Sequence, residues 1–555
     1  MKTKLLSLVF SLLVAFPLIA GDFNRGKWGD QGNGTYNNPL LPGDFSDPDI
    51  IRVGKDYYFI TSTFQLSPGL TILHSKDLVN WSIIGSAVSD ITQMRPKYNW
   101  DVMDGYGRCI WAPCITFNPK TKLFYIHWGT PEDGYFVVSA RHPRGPWSSV
   151  TEVLKADGSS FGKGWDDCGV LWDNDGQGYF IGANFANNYK CTLFKLSADG
   201  TKMTDKGIVV HEGNDRYGKK FSPEANKIFK KDGYYYFYHN EVADRTRKAA
   251  IMRSKYIYGV REDGTPGTFD SPGIYEHGVN FVEGYREPNQ GNLIDTPDGK
   301  NWYFFTQQGN TQMDGRPVNL IPVVWKNGWP VPTNDEDGDG VGRMEHSGMK
   351  MHLKSSPRKP QTSDEFSGKK LNVQWMWNYQ PRTGFWSLTE RKGFMRLKAF
   401  GVLSKDEDLS KAGNTLLQRS YRTENNTVVT KLDLSGIAPG QNCGLTHSAG
   451  VKYSAIGIMR TDSGIVIRYF ENKKPVLTKR IAENLPVIYF KSTWTDESIN
   501  QYFYSLNGVD YLPFGEKYQM VGSNYRGDYV GIFNFNNLRE NGFVDVDYFR
   551  YDYSH

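Results

Sequence analysis

Short runs of alternating apolar and polar residues dominate the chain, and most of them end at a turn. Segments such as "DIIRVGKDYYFIT" and "KIFKKDGYYYFYH" carry β-branched and aromatic residues on both sides of a Gly-containing turn. This period of two is typical of antiparallel strands joined by hairpins. Long segments with helical spacing are hard to find, so the pattern predicts an all-β protein.

Five of these segments repeat one plan, which is a key residue, an apolar strand, a tight turn and an aromatic strand. The key residues are Asp47, Trp111, Asp167, Glu224 and Gln290, at intervals of 64, 56, 57 and 66 residues. A unit of about 60 residues with short strands is typical of one propeller blade. The sequence therefore predicts a five-bladed β-propeller within residues 21–355, with the key residues converging at one end of the innermost strands.

The turns predict a shared register for the last three repeats. An Asp-Gly turn begins eight residues after Asp167, Glu224 and Gln290 alike, and Asp-Gly supplies the positive φ angles of a hairpin turn. We therefore expect these three residues at one height on equivalent strands. Asp166 precedes Asp167, and we expect one of the two to be solvated.

Beyond "SSPRKPQTS" the repeat disappears. Alternating segments such as "GFMRLKAF", "GIVIRYF" and "FVDVDYFRY" follow, and they predict the strands of a second, sandwich-like domain. We place this β-sandwich, of jelly-roll or concanavalin-like type, at residues 356–555.

The N-terminus indicates export. Residues 1–20 contain two lysines, an apolar run and a small residue at the end, which is typical of a signal peptide and predicts a periplasmic or extracellular protein. No later run is long enough for a membrane span.

The net charge and the cysteine content indicate no further partner. Removal of Lys2 and Lys4 takes the formal net charge from +5 to +3, which gives no support to nucleic-acid binding. The five cysteines are too few for a disulfide scaffold, and no metal site or other cofactor is indicated.

The three carboxylates among the key residues suggest a chemistry. Two carboxyl groups across a sugar-sized gap are sufficient for glycoside hydrolysis, since one protonates the leaving oxygen and the other activates water or attacks directly. A third carboxylate can raise the pKa of the acid. Asp47, beside Pro48, could equally cap a turn, whereas Glu224 in "SPEANKIF" has no turn-forming role.

The motifs resemble glycoside hydrolase family 43. The segments "NPLLPGDFSDPDIIRVGKDYYFITSTF", "WDDCGVLWDNDGQGYF", "SPEANKIFKKDGYYYFY" and "GRPVNLIPVVWKNGWPV" are similar, in this order, to motifs of its β-xylosidase and α-L-arabinofuranosidase branch. The resemblance implies an inverting enzyme with a five-bladed propeller and a C-terminal β-sandwich. It also implies that Asp47 is the general base, that Asp167 orients and tunes the acid, and that Glu224 is the general acid.

The resemblance extends to the substrate pocket. Arg316 matches an arginine that reaches the sugar and the acid-tuning Asp, while Phe64 and Trp111 match walls of the pocket. The fifth repeat reads "REPNQGNL", with Gln290 in the motif where many members have a histidine associated with an ion, so we assign Gln290 to substrate binding and expect no metal there. The segment "NDEDGDGVG" begins like a calcium loop but lacks its final Glu, and we expect a solvated turn.

These observations predict a secreted, exo-acting hydrolase that removes α-L-arabinofuranosyl units from plant hemicellulose side chains of arabinoxylan or xyloglucan type. The alternative is β-D-xylosidase as main or second activity. An endo-arabinanase and a non-catalytic carbohydrate-binding propeller are further alternatives. The expected partner is a plant polysaccharide or oligosaccharide, and no protein partner is implied.

Overall fold

The computed structural model describes residues 28–555, except for 214, 217–218, 244–245, 310–311, 345–346, 351–356, 404–407 and 524. The predicted signal peptide at residues 1–20 and the predicted domain boundary at 355/356 therefore lie outside the described residues.

The prediction of an all-β protein is confirmed. In the described part of the chain, the helices are three single 3₁₀ turns, at Ile91–Gln93, Pro96–Tyr98 and Leu409–Lys411. All the strand pairs within its sheets are antiparallel.

Five four-stranded sheets follow one another along the chain, and we number them 1 to 5. In each sheet the strands are adjacent in the order of the sequence. Their bounds are Asp49–Val53, Asp56–Thr61, Gly69–Ser75 and Ser82–Val88 in sheet 1, and Trp111–Asn118, Leu123–Thr130, Gly134–Ala140 and Thr151–Glu152 in sheet 2. Sheet 3 has Trp165–Trp172, Gly178–Asn184, Lys190–Leu196 and Ile208–His211, and sheet 4 has Ser222–Lys231, Tyr234–Ala243, Thr246–Ser254 and Glu276–Tyr285. Sheet 5 has Asn289–Asp295, Trp302–Gln307, Val318–Lys326 and Trp329–Pro332.

The first strands of the five sheets contact one another in a ring. Each first strand touches the first strand of the next sheet, and that of sheet 5 touches that of sheet 1. Alternating side chains fill the spaces between sheets, because successive residues of a strand point to opposite faces. In sheet 4, for example, Phe237 packs with Leu193 of sheet 3, whereas Tyr238 packs with Phe304 of sheet 5. The starts of the five first strands are thereby brought together.

Two small sheets accompany this ring. One joins Gly29–Asp30, Thr35–Asn37 and Ser347–Met349, so that the two ends of the first part of the chain meet. The other pairs Asp215–Arg216 with Lys219–Lys220.

The C-terminal part forms two large antiparallel sheets. The first contains, in spatial order, Lys474–Ala482, Gly464–Glu471, Lys452–Thr461, Gln441–Ala449, Tyr529–Asn536, Leu416–Arg419, Met376–Asn378 and Leu66–Ser67. The second contains Trp386–Ser387, Met395–Lys398, Phe543–Tyr553, Asn426–Asp433, Val487–Trp494, Ile499–Ser505 and Leu512–Pro513, with Tyr518–Gln519 also paired to Ile499–Ser505. Strands such as Asn426–Asp433 alternate buried and half-buried residues, as expected for a sheet with one face in a core.

The C-terminal sheets are joined to the ring. The short strand Leu66–Ser67 follows sheet 1's second strand but pairs with Met376–Asn378 of the sandwich. One apolar core contains residues from both parts, including Phe59 and Trp81 of the ring and Trp377 of the sandwich. This junction also holds a sandwich loop against the end of the ring where the first strands begin.

Candidate active site

A pocket of about 310 Å³ lies at the starts of the five first strands. The structure places all seven sequence-predicted site residues in its wall. These are Asp47, Phe64, Trp111, Asp167, Glu224, Gln290 and Arg316. Seven further residues complete the wall, namely Ala112, Asp166, Phe185, Tyr189, Arg247, Asn289 and Tyr525.

A β-bulge at the start of the first strand aims these residues into the pocket. Sheets 2 to 5 each shift register there, and the residues at the shift are Trp111, Asp166, Glu224 and Asn289. A bulge turns a side chain away from its normal direction and is common next to active sites. The recurrence explains how strands of different sequence present polar groups to one point.

The bulges also correct the predicted register. They align Glu224 with Asp166 and Asn289, while Asp167 and Gln290 share the next position with Ala225, all three at positive φ. The prediction that Asp167, Glu224 and Gln290 are equivalent is therefore wrong by one residue for Glu224. The cause is turn length, because five residues join the first two strands of sheet 3 and only two join those of sheet 4.

Asp47 is buried and makes three hydrogen bonds with two residues, Arg316 and Gln307. The Arg316 guanidinium donates a hydrogen bond to its Oδ1. Gln307 accepts a hydrogen bond from its backbone N–H and donates one to Oδ1 at 3.4 Å. The expected contact of Arg316 with the acid-tuning Asp is thus replaced by an ion pair with Asp47.

Asp166 and Asp167 are both buried, so the expectation that one of them is solvated is wrong. Asp167 accepts hydrogen bonds of 2.8 Å from the N–H of Ala225 and from the side-chain amide of Gln290. Burial raises the pKa of the Asp167 carboxyl, the Ala225 N–H opposes this rise, and the charge of Asp47 adds to it. The side chain of Gln290 therefore orients Asp167 as well as lining the pocket.

Asp166 is an acid without a hydrogen bond to its Oδ1. Burial, followed by the charge of Asp167, raises the pKa of its carboxyl well above the usual value. Both causes act against the charged form of this carboxyl group.

Glu224 faces the pocket with 23% of its side chain exposed and accepts a hydrogen bond of 3.2 Å from Arg247 Nη1. Burial raises the pKa of the Glu224 carboxyl, the Arg247 charge lowers it, and the Asp167 charge raises it. The net shift is upward, which suits a group that must hold a proton near neutral pH.

Aromatic rings form one side of the pocket. The Phe64 and Trp111 ring centroids are 6.5 Å apart, and Tyr525 packs edge-on to Trp111 at 5.8 Å. Tyr525 comes from the sandwich, is 58% exposed, and lies under the Arg316 guanidinium at 5.1 Å. The C-terminal part thus contributes a residue to the rim of the pocket.

The residues that sequence reasoning missed had weak signals. Arg247 stands in "DRTRKAA" among other basic residues, and Tyr525 stands in a loop 478 residues from Asp47. Asp166 is recognisable in the sequence as the residue before Asp167. The distance from Asp167 to the Asp-Gly turn does not by itself show which role each of the two acids has. Phe185 and Tyr189 lie between strands of sheet 3, outside the repeated segments.

Two side-chain clusters in the described residues could hold a cation, and neither lines the pocket. Asp335, Asp337 and Asp339 form a turn in which the carboxylates accept backbone N–H groups, for example Gly340 N–H to Asp335 at 2.9 Å. The second cluster, His211, His239 and Glu241, lies between sheets 3 and 4.

All five cysteines are buried and free of disulfides. Among the described residues, no helix has the length and apolar character needed to cross a lipid bilayer.

Comparisons with known proteins agree with this geometry. Residues 36–330 match the family model of glycosyl hydrolases family 43, and residues 363–552 match that of the beta xylosidase C-terminal concanavalin A-like domain. A curated "Beta-xylosidase" of Formosa agariphila is 33% identical over 95% of this chain and 92% of its own length. A curated "Non-reducing end alpha-L-arabinofuranosidase" of Bacteroides ovatus is 28% identical over 66% of each chain. The crystal structure of the GH43 protein BlXynB from Bacillus licheniformis covers 94% of this chain and all of its own at 25% identity, with a TM-score of 0.76.

Proposed function

The chain belongs to glycosyl hydrolases family 43, and from this premise we propose that it is an exo-acting, inverting β-D-xylosidase. The observation that carries the proposal is the convergence of Asp47, Asp167 and Glu224 on one small pocket. Such a set of carboxyl groups can supply the acid and the base of glycoside hydrolysis.

We assign the base to Asp47 and the acid to Glu224. Asp47 takes a proton from water while the water oxygen bonds to the anomeric carbon, and Glu224 gives its proton to the leaving glycosidic oxygen as that bond breaks. Arg316 forms an ion pair with this base and holds it in place. Burial and the charge of Asp167 support a protonated Glu224.

The pocket volume supports exo action. About 310 Å³ lies at the lower end of the range of small-molecule sites, roughly 300–1,000 Å³. A space of this size suits one sugar with part of a second, whereas a polymer chain bound along its length needs an open groove. The expected product is therefore a monosaccharide.

The choice of xyloside over arabinofuranoside rests on the relatives. The relative named as a β-xylosidase is more similar and covers more of the chain than the one named as an α-L-arabinofuranosidase. This favours the alternative given by the sequence over its main prediction. Arabinofuranosidase activity is the second candidate, since the second relative carries that name.

Two further elements belong to the proposal. We propose that sheets 1 to 5 are the blades of one five-bladed propeller, which the ring of contacts between their first strands supports. We also propose export of the chain, which is supported by the charged and apolar pattern of residues 1–20.

The first test compares kcat/KM on 4-nitrophenyl β-D-xyloside and 4-nitrophenyl α-L-arabinofuranoside, and follows xylo-oligosaccharide digestion by chromatography and proton NMR. We expect faster xyloside cleavage, xylose and the oligosaccharide shortened by one unit as the early products, and α-xylose as the first anomer of the released xylose. Faster arabinoside cleavage would favour the second candidate. Early products without free xylose, such as two xylobiose molecules from xylotetraose, would contradict exo action, and β-xylose as the first anomer would contradict inversion.

Variants of the two carboxylates test their roles. Asp47→Asn and Glu224→Gln should each lower kcat on xylobiose by about 10²- to 10⁴-fold, the range of general acid–base catalysis. The leaving group separates them, because a dinitrophenyl leaving group needs no proton. Glu224→Gln should therefore retain most of its activity on the dinitrophenyl xyloside, whereas Asp47→Asn should not. The opposite result would exchange the two assignments.

A further inference from the structure

We propose that His211, His239 and Glu241 bind a divalent transition-metal cation of the zinc class. This site is separate from the pocket, and the proposal does not depend on the proposed function. It follows from the positions of the three side chains and from the buried His239 Nε2, which has no hydrogen-bond partner.

The three residues come from two sheets but meet at one place. His211 is the last residue of the fourth strand of sheet 3, whereas His239 and Glu241 lie on the second strand of sheet 4. Because residues two apart in a strand point to the same face, His239 and Glu241 both face sheet 3. Phe237, two residues earlier, packs in the apolar cluster between the same sheets.

The donor atoms are close enough for one ion. One ligand atom of each residue lies within 4.8 Å of those of the other two. His239 Nε2 is 3.9 Å from Glu241 Oε1, and the imidazole rings of His211 and His239 are 4.4 Å apart between centroids. Ligands at zinc distances in a tetrahedral site are ~3.4 Å apart, so small side-chain rotations would bring the donors into place.

His239 supplies a second, independent observation. Its side chain is only 3% exposed, and its Nε2 has no hydrogen-bond partner although it is buried. A buried polar atom without a partner is costly and calls for an explanation. A bound cation gives one, because neutral imidazole nitrogen is a common ligand of zinc and its neighbours in the periodic table.

The donor set selects the kind of cation. Two imidazoles and one carboxylate are the ligands of many three-residue zinc sites, which leave one position for water. Calcium and magnesium prefer oxygen ligands. The nearby ammonium of Lys248, opposite Glu241 across the strand pair, is held by Glu283 at 2.9 Å, so the charge of Lys248 is already compensated.

A cation here would connect the sheets that carry two of the pocket carboxylates. Asn240, between the two ligands of sheet 4, pairs directly with Glu224 on the first strand. Sheet 3 carries Asp167 on its own first strand. Binding of the cation should therefore stabilise the junction between these sheets and raise the melting temperature by several degrees at saturation.

The test titrates the full chain, purified without a histidine tag and stripped with a chelator, with Co²⁺ and Zn²⁺. We expect one equivalent of Co²⁺ to give a visible absorption band, Zn²⁺ to displace it, and Zn²⁺ to raise the melting temperature. His239→Gln and His211→Gln should each weaken Zn²⁺ binding by about 100-fold or more, since loss of a mere supporting contact already costs about 10- to 100-fold.

Two matched controls separate this site from adventitious binding. His142→Gln removes an exposed histidine, and Asp337→Asn alters the exposed all-oxygen cluster. Both should bind Co²⁺ like the unmodified chain. Absence of a Co²⁺ band in the unmodified chain, or full binding by a folded His211→Gln variant, would overturn the proposal. His211 is only half-buried at a strand end, so its variant decides the question if His239→Gln fails to fold.

Discussion

Positive φ angles mark six residues of the pocket wall, namely Asp47, Phe64, Asp167, Tyr189, Gln290 and Tyr525. Asp47, Asp167 and Gln290 have φ values of 53°, 50° and 56°, a region that costs a residue other than glycine roughly 1–2 kcal/mol. Local hydrogen bonds offset this cost. Gln307 accepts from the Asp47 N–H, and Asn240 accepts from the Gln290 N–H at 2.9 Å. At Asp47 and Gln290 the strained backbone is therefore held by side chains that lie outside the wall of the pocket.

The charged neighbours of Glu224 predict how activity depends on pH. The Arg247 charge lowers the pKa of Glu224, and the Asp167 charge raises it. If Glu224 is the acid, activity falls as pH rises through its pKa, since the protonated form is then lost. Arg247→Gln should move this alkaline limb of kcat/KM to higher pH, and Asp167→Asn should move it to lower pH.

These shifts can be measured as pH profiles of kcat/KM on an aryl β-D-xyloside. Arg144→Gln is a suitable control, because this exposed arginine lies outside the pocket wall. Shifts of the two variants in the same direction would contradict the assignment of the alkaline limb to Glu224. An unchanged limb in both would place the acid elsewhere.

Sequence reasoning reached most of the site at this scale because each key residue lies just before an apolar strand. Residues such as Asp47 and Glu224 could be found this way without structural information. The pairing of Arg316 with Asp47 could not, because it joins residues 269 positions apart in the chain. The burial of both Asp166 and Asp167 depends on the neighbouring sheets, which a local pattern does not reveal.

At the scale of elements, a buried lysine and a buried carboxyl group lie among the first strands of the sheets. Lys227 of sheet 4 donates a hydrogen bond of 3.0 Å to the carbonyl of Cys168 in sheet 3. Asp49 of sheet 1 accepts one of 2.8 Å from Ile115 N–H in sheet 2. Burial lowers the pKa of Lys227, but the charge of Asp49 and its neighbours more than offsets this, so the pKa is raised. Lys227 thus links sheets 3 and 4, Asp49 links sheets 1 and 2, and the two charges interact at longer range.

We expect Lys227→Met to destabilise the protein strongly. It removes the donor to the Cys168 carbonyl and the positive charge that acts on the buried Asp49 carboxyl, and loss of one of two interacting buried charges costs roughly 3–5 kcal/mol. The melting temperature should fall by roughly 3–8 °C, as measured by calorimetry. Adding Asp49→Asn should recover part of the loss, because the unpaired charge is then removed.

Lys230→Met is the matched control for this prediction. Lys230 lies on the same strand and pairs with Asp173 at 2.7 Å, but its side chain is 29% exposed. Exposed pairs contribute about 0–1 kcal/mol, so its melting temperature should change little. Equal effects of the two lysine variants would show that burial of the lysine is not the cause.

Strand order and strand number were more predictable than register. The pattern of apolar strands and turns identifies the hairpins of sheets 1 to 5. Each of these sheets packs between two others, so its strands need apolar residues on both faces. The bulges escaped prediction, because a bulge adds one residue without changing the polarity pattern on either side. The one-residue error for Glu224 follows from this, together with the unequal turns after the first strands.

At the scale of the whole molecule, the sandwich and the ring share a core, and their sheets are continuous at Leu66–Ser67. The sequence predicted two separate domains from a change in composition near residue 356. It gave no sign that a two-residue strand of the first part completes a sheet of the second. Such a pairing joins segments about 310 residues apart and leaves no local pattern.

This shared interface predicts that Tyr525 of the sandwich contributes to substrate affinity. The neighbouring Arg526 is buried. Its guanidinium carbon lies 4.5 Å from the centre of the Tyr529 aromatic ring, and its Nη1 donates a hydrogen bond of 3.3 Å to Gln65, in the first part of the chain. The Tyr525 carbonyl accepts from Ser46 at 3.2 Å. These contacts hold the backbone at Tyr525 in place. The aromatic ring of Tyr525 lines the pocket, where it can pack against a sugar.

Tyr525→Ala should therefore raise KM for xylobiose by up to about tenfold, the equivalent of an aromatic contact of about 1.4 kcal/mol, and should change kcat little. Tyr525→Phe keeps the ring and should resemble the unmodified protein. Tyr511→Ala, which alters a sandwich tyrosine outside the pocket wall, should leave both constants unchanged. A large fall in kcat with constant KM would mean that Tyr525 acts on the reacting groups through Arg316, which its ring contacts at 5.1 Å. An effect of the Phe variant equal to that of the Ala variant would instead assign the contribution to the hydroxyl group.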